Sequence, residues 1–155
     1  MNLRRDRLFL LALAAAAALC YAPGLDGPPV YDDLVGILHN PKMARPDLLA
    51  RGFLDPTPQV PLGVPFPSLI NRPLTEASFA LHQARGGGRA GLRLGNVLLH
   101  IGASWLVFLI ALRLGDGLGT AARPFAQWAS LFFALHPLGT QAVAYAYQRF
   151  TGLEA

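Results

Sequence analysis

Charge is scarce in this chain, and one kind of it is nearly missing. Of 155 residues only 14% are Asp, Glu, Lys or Arg, where a soluble domain carries about a quarter. Lys42 is the sole lysine, so the formal net charge of +4 rests on arginine. No stripe of Lys and Arg interleaves with aromatics, which argues against a nucleic-acid partner. Cys20 is the sole cysteine, which excludes an internal disulfide and a thiol-based metal cluster. It lies within an apolar run and packs there as a small hydrophobe. A phosphate-binding loop is also missing. Gly86-Gly87-Gly88 has no Gly-Lys-Ser/Thr after it and no strand before it, so it reads as a turn.

What is present is hydrophobic. Apolar residues make up 53% of the chain and the mean hydropathy is +0.37, which places it among membrane proteins. Leu8–Ala22 follows Arg4, Arg5 and Arg7 and reads as a first membrane helix. Its 15 residues fall short of the roughly 20 of a full span, a gap that snorkelling by Arg7 and anchoring by Tyr21 can close. The same stretch also fits a signal peptide. A lipoprotein signal fits less well, because Leu19 precedes Cys20 where a small residue is expected. Leu94–Leu112 is the clearest span, bounded by Arg93 and Arg113, and Phe125–Tyr147 is a third apolar stretch. Pro137 should end or kink the third helix, because the residue before a proline is pushed out of helical geometry.

Between the first and second spans, residues 23–92 form a long connection. All of the 13 prolines except Pro124 and Pro137 lie within 23–73, which rules out one continuous element there. A short helix is expected around Pro46–Phe53. Another is expected over Leu74–Ala84, where Leu74, Ala77, Leu81 and Ala84 share a face, which suits a helix lying in the membrane interface. The fold class is therefore an all-α membrane protein: about three transmembrane helices (near 8–22, 94–112 and 125–147, with a break near 137) and an outer loop 23–92 carrying short interfacial helices. Residues 1–155 form one partial membrane domain. Arg4, Arg5, Arg7, Arg113 and Arg123 bracket one side, which the positive-inside rule makes cytoplasmic. The expected location is the cell (inner) membrane, multi-pass, with the 23–92 loop on the periplasmic or extracytoplasmic side.

On that topology four polar clusters meet on the outer side. They are Tyr31-Asp32-Asp33, Asn71-Arg72-Pro73-Leu74-Thr75, Asn96 with His100, and His136-Pro137 through Gln148-Arg149. Carboxylates beside a bilayer are costly to desolvate and need a reason to be there. Asn96, His100 and Ser104, at i, i+4 and i+8, make a polar stripe on the second span, suited to a bundle interior or cavity.

These pieces, in order, resemble the N-terminal part of the multispanning GT-C glycosyltransferases, notably the O-mannosyltransferase-like members joined to tetratricopeptide repeats. The resemblance runs through Tyr31-Asp32-Asp33 with Asn40-Pro41, Arg72-Pro73-Leu74-Thr75, Gly91 to Asn96 and on to His100, and Phe132-Phe133-Ala134-Leu135-His136-Pro137 with Gln148-Arg149. Arg93 departs from it, since His is usual there. The resemblance implies transfer of a sugar from a polyprenyl-phosphate carrier to a protein or glycan acceptor. It implies Asp32 and Asp33 as the catalytic pair, with Asp32 the base and Asp33 orienting the loop or acceptor. Arg72 and Arg149 would bind the donor phosphate, and Asn96, His100, His136 and Gln148 would line the cavity. Arg72 and Arg149 equally suit ordinary interfacial arginines. No ligand spacing demands a metal, although a divalent ion near Asp32, Asp33, His100 and His136 is compatible. Members of that fold use many more spans, so this chain reads as a truncated piece of the enzyme, inactive by itself. The rival reading is a small non-enzymatic membrane protein that binds a partner or serves as a subunit.

Overall fold

The computed structural model describes residues 3–29, 33, 37, 73–86, 88–146 and 149. Five α-helices are seen among them and no strand. Helix α1, Leu3–Tyr21, is 19 residues of mostly Leu and Ala, both strong helix formers. It starts earlier than the apolar run and takes in the basic residues Arg4, Arg5 and Arg7. A short 3-10 turn at Ala22–Gly24, with Pro23 inside it, ends the helix. The remaining helices are α2, Pro73–Ala84; α3, Arg89–Leu114; α4, Ala122–Leu135; and α5, Gly139–Ala144. The expected helix at Pro46–Phe53 lies outside the described residues.

Two stretches, Arg4–Gly24 and Arg89–Leu114, are long and apolar enough to cross a membrane. The 26 residues of α3 reach about 39 Å, more than the roughly 30 Å of a hydrocarbon core. Only 17% and 28% of the two stretches is buried, whereas the core helix of a soluble protein would be mostly enclosed.

The third apolar segment is not one helix. Helix α4 stops at Leu135, His136 is extended (φ −67°, ψ 132°), and α5 begins at Gly139. Pro137 is the cause, as its ring excludes helical geometry at the residue before it. With 14 residues, α4 reaches about 21 Å, short of a full crossing by itself. Between α3 and α4 the chain reverses through Gly115–Ala121, where Gly119 has a φ of 58°, a left-handed conformation that glycine adopts without steric cost.

Helices α3 and α4 pack most extensively, and α1 lies against both. Phe108, Ala111 and Ala126 form one cluster, with Phe9 and Leu10 of α1 against it. Tyr21, Val97 and Val143 form a second, and Ile37, Phe79, Leu92 and Ala146 a third. At one end of the bundle Arg123 pairs with Asp6, so the starts of α1 and α4 share a side, as the clustering of arginines suggests. Along α1, the Trp105 Nε1–H donates to the Leu10 carbonyl at 3.0 Å.

Polarity is turned inside out. Ser104 and Ser130 are fully buried, while Leu106 is 59% and Trp128 71% exposed, along with Leu98, Leu109, Ile110 and Phe132. Small and hydroxyl side chains inside, with large apolar ones outside, are the pattern of helices packed in lipid. The enclosed side of α2 is the one opposite Leu74 and Leu81. Thr75, Glu76 and Phe79 are enclosed, and Leu74 and Leu81 point outward. The polar flank of α2 faces protein, and its apolar flank is left for the surroundings.

Candidate functional site

Besides Asp6 and the two serines, six polar or charged side chains are buried among the described residues, in the part of the bundle that also holds the cluster of Ile37, Phe79, Leu92 and Ala146. They are Asp33, Thr75, Glu76, Arg93, Asn96 and Arg149. Charges in such a place survive only if they are paired and hydrogen-bonded. Three residues of α3, spaced to share one side of the helix, organise the region: Arg93, Asn96 and His100.

The Pro137 break creates the need for them. The last carbonyls of a helix have no partner within it, and at membrane depth an unsatisfied backbone group costs several kcal/mol. Helix α4 ends with Ala134 O accepting from His100 Nε2 at 3.0 Å and from the Tyr21 hydroxyl at 3.4 Å. A carbonyl only accepts, so the His100 proton sits on Nε2. Its ring stacks on Phe133 and meets the edge of Tyr21. Ser104 donates back to the His100 carbonyl at 2.7 Å.

Asn96 does the same for α5. Its amide donates to Tyr145 O at 2.7 Å, with Val143 O and Ala146 O at 3.5 Å. Its Oδ1 accepts from Arg149 Nε at 2.9 Å. Asn96 and His100 are thus spent on the backbone carbonyls of the broken segment.

Arg149 is 5% exposed. Besides Asn96 it donates through Nη1 to Ser78 Oγ at 3.2 Å and through Nη2 to Leu92 O. Its guanidinium lies 4.5 Å over the Phe79 ring. Burial pulls its pKa below the ordinary arginine value. Room for it comes from Gly95, where an added Cβ would sit 2.3 Å from Nη2.

Arg93, at the position where the sequence departs from the resemblance, is the residue that pattern-reading leaves without a role. Its Nε donates to Ala144 O at 2.9 Å, its Nη1 to Leu25 O at 3.2 Å and to Gly27 O, and its Nη2 to Pro28 O at 2.6 Å. Asp33 Oδ2 lies 3.9 Å from Nη2, and both side chains are almost wholly enclosed.

The remaining expected residues divide as follows. Asp32, Arg72 and Gln148 lie outside the described residues. His136 sits at the mouth of an apolar pocket with Trp128, Leu131, Phe132, Leu135 and Pro137. Its Nδ1 accepts from the Leu138 N–H at 3.2 Å. Among the described residues, no group of three His, Cys, Asp or Glu could hold a metal ion. Asp33 is thus brought to Arg93, and Asn96 to Arg149, while His100 stands one turn further along α3.

No protein-family model matches the chain, and no solved structure does. A Drosophila melanogaster protein, the protein O-mannosyl-transferase Tmtc1, is 38% identical over 146 residues, covering 90% of this chain. The chain spans 16% of the length of that relative. Together with the two long apolar helices, this similarity to a glycosyltransferase marks the chain as a membrane protein.

Proposed function

We propose that this chain is a portion of a membrane glycosyltransferase. In this reading it takes a hexose, mannose in the first instance, from a polyprenyl-phosphate carrier and passes it to a hydroxyl of a protein or glycan acceptor. The similarity to an O-mannosyl-transferase along 90% of the chain carries this reading.

In the reaction the acceptor oxygen attacks the anomeric carbon, and the bond from that carbon to the phosphate oxygen breaks. Polyprenyl phosphate leaves, and the acceptor proton goes to a carboxylate acting as general base. Asp32 takes that proton and Asp33 orients the loop. Arg72 faces the charge that grows on the leaving phosphate, a task suited to a guanidinium's paired N–H groups. Arg149, enclosed and bonded to Asn96, Ser78 and Leu92, supports the wall of the site from behind and reaches phosphate only if those bonds open. Asn96, His100, His136 and Gln148 belong to the same wall.

Arg4, Arg5, Arg7, Arg113 and Arg123 lie on the cytoplasmic side in this reading, and the segment from Leu25 through Asp33 lies opposite. The truncated state, the tetratricopeptide linkage and a third crossing by α4 with α5 belong to the same proposal. The rival reading, a non-enzymatic partner-binding protein or subunit, draws on how fully Arg149 is engaged within the fold.

One measurement separates the two. Membranes carrying the full-length protein that contains this segment are supplied with radiolabelled polyprenyl-phosphate mannose and an acceptor protein. Asp32→Asn is expected to lose transfer by at least roughly a hundredfold, the scale of a lost general base, with insertion unchanged. Full transfer by that variant removes Asp32 as base, and no transfer by the unaltered protein favours the rival reading.

A further inference from the structure

We propose that Arg93 is a positioning residue that divides the labour between the two adjacent carboxylates, clasping the start of the 23–92 segment and pairing with Asp33. Asp33 is then the anchor, and Asp32 is the carboxylate left to meet an acceptor. This inference rests on the sugar-transfer reading and deepens it.

The geometry is that of a clasp. Arg93 projects from α3 and its donors reach the carbonyls of Leu25, Gly27 and Pro28, three positions within four residues, and Ala144 on the far side. Gly27 lets the guanidinium approach, since a Cβ there would lie 3.2 Å from Nη1. These bonds fix the backbone just before the acidic pair to the outer half of α3 and to α5. A guanidinium enclosed to this degree needs a counter-charge, and Asp33, 3% exposed and 3.9 Å away, supplies it. The pair accounts for Asp33 and, on the sugar-transfer reading, leaves the acceptor proton to Asp32. Lysine would substitute only in part. Its three N–H groups radiate from one point, whereas the guanidinium offers five in a rigid fork.

The test uses the full-length protein that contains this segment, in its membrane, with radiolabelled polyprenyl-phosphate mannose as the probe. Arg93→Gln and Asp33→Asn are each expected to lower kcat by roughly ten- to a hundredfold, and the double variant by no more than the worse single one, as for two residues acting as a unit. KM for the carrier stays within about twofold. Arg93→Lys, which keeps the charge and loses the fork, recovers part of kcat. Losses that multiply in the double variant, or an Arg93→Gln protein at the unaltered rate, overturn the inference. A loss confined to Asp32→Asn then leaves the sugar-transfer reading standing without it.

If the unaltered protein transfers no sugar, the clasp is tested without activity. Asp33→Cys in a Cys20→Ser background is treated with a membrane-impermeant maleimide. The enclosed thiol is expected to react slowly, and adding Arg93→Gln to speed labelling by about tenfold or more, as local opening frees it. Equal rates overturn the clasp.

Discussion

Two arginines, Arg93 and Arg149, are each only 5% exposed, a burial that a guanidinium tolerates only with its N–H groups engaged. Their partners come from sequence positions far away, from Leu25 to Ala144 for one and from Ser78 to Asn96 for the other. That distance is why their roles could not be read from the sequence, which offers the residue types but not the meeting. Asp32 and Asp33 stood out because paired carboxylates near a bilayer are unusual. The resemblance already implied different tasks for the two, and what the structure adds is Arg93 as a neighbour of Asp33. The polar stripe Asn96, His100 and Ser104 was legible as a stripe, but not its task of satisfying carbonyls, which depends on where two other helices end. A substitution at Gly95 tests the packing at this scale. Gly95→Ala places a methyl where Arg149 Nη2 lies, and overpacking of this kind costs about 1–3 kcal/mol. Thermal unfolding of the detergent-solubilised protein should show a lowered midpoint, and Gly102→Ala, with open space around the added carbon, should stay close to the unaltered value.

The elements were more legible than the contacts. Long runs of Leu and Ala announce α1 and α3, and Pro137 announces the break after Leu135, because these signals are local. For α2 the helix was legible, and its Leu74 and Leu81 face lies outward. Thr75 and Glu76 are enclosed on its other side, a placement that no periodicity records. Whether α1 stays attached was also open from sequence, since a basic start and an apolar run serve a signal peptide equally well. The packing argues for retention. Asp6 pairs with Arg123, Leu10 O accepts from Trp105, Phe9 rests 5.2 Å from the Phe108 ring, and the Tyr21 hydroxyl reaches Ala134 O. Cleavage would strip one wall from α3 and α4. Intact-mass measurement of the protein isolated from membranes is expected to include residues 1–22. A mature N-terminus near Pro23 would contradict this.

At the scale of the molecule, the informative property is the reversal of polarity between interior and exterior. Leu98, Leu106, Leu109, Ile110, Trp128 and Phe132 are exposed around α3 and α4 while two serines are wholly enclosed. An apolar exterior of this extent exceeds what a soluble monomer shows in water. Leu106→Cys, in a Cys20→Ser background, is expected to resist a membrane-impermeant maleimide in sealed and in opened vesicles and to react after denaturation in dodecyl sulfate. Prompt labelling in opened vesicles would place α3 against water.

The shortness of α4 has a further consequence for the lipid around it. It reaches about 21 Å where its neighbour α3 reaches about 39 Å, so the wall of the bundle is not of one height all the way round. A bilayer accommodates a low wall by thinning, at a cost of only fractions of a kcal/mol per Å of mismatch. Such thinning is expected where α4 ends, beside Phe132 and His136. On the sugar-transfer reading proposed above, that flank is where the polar head of the carrier would have the least depth to travel.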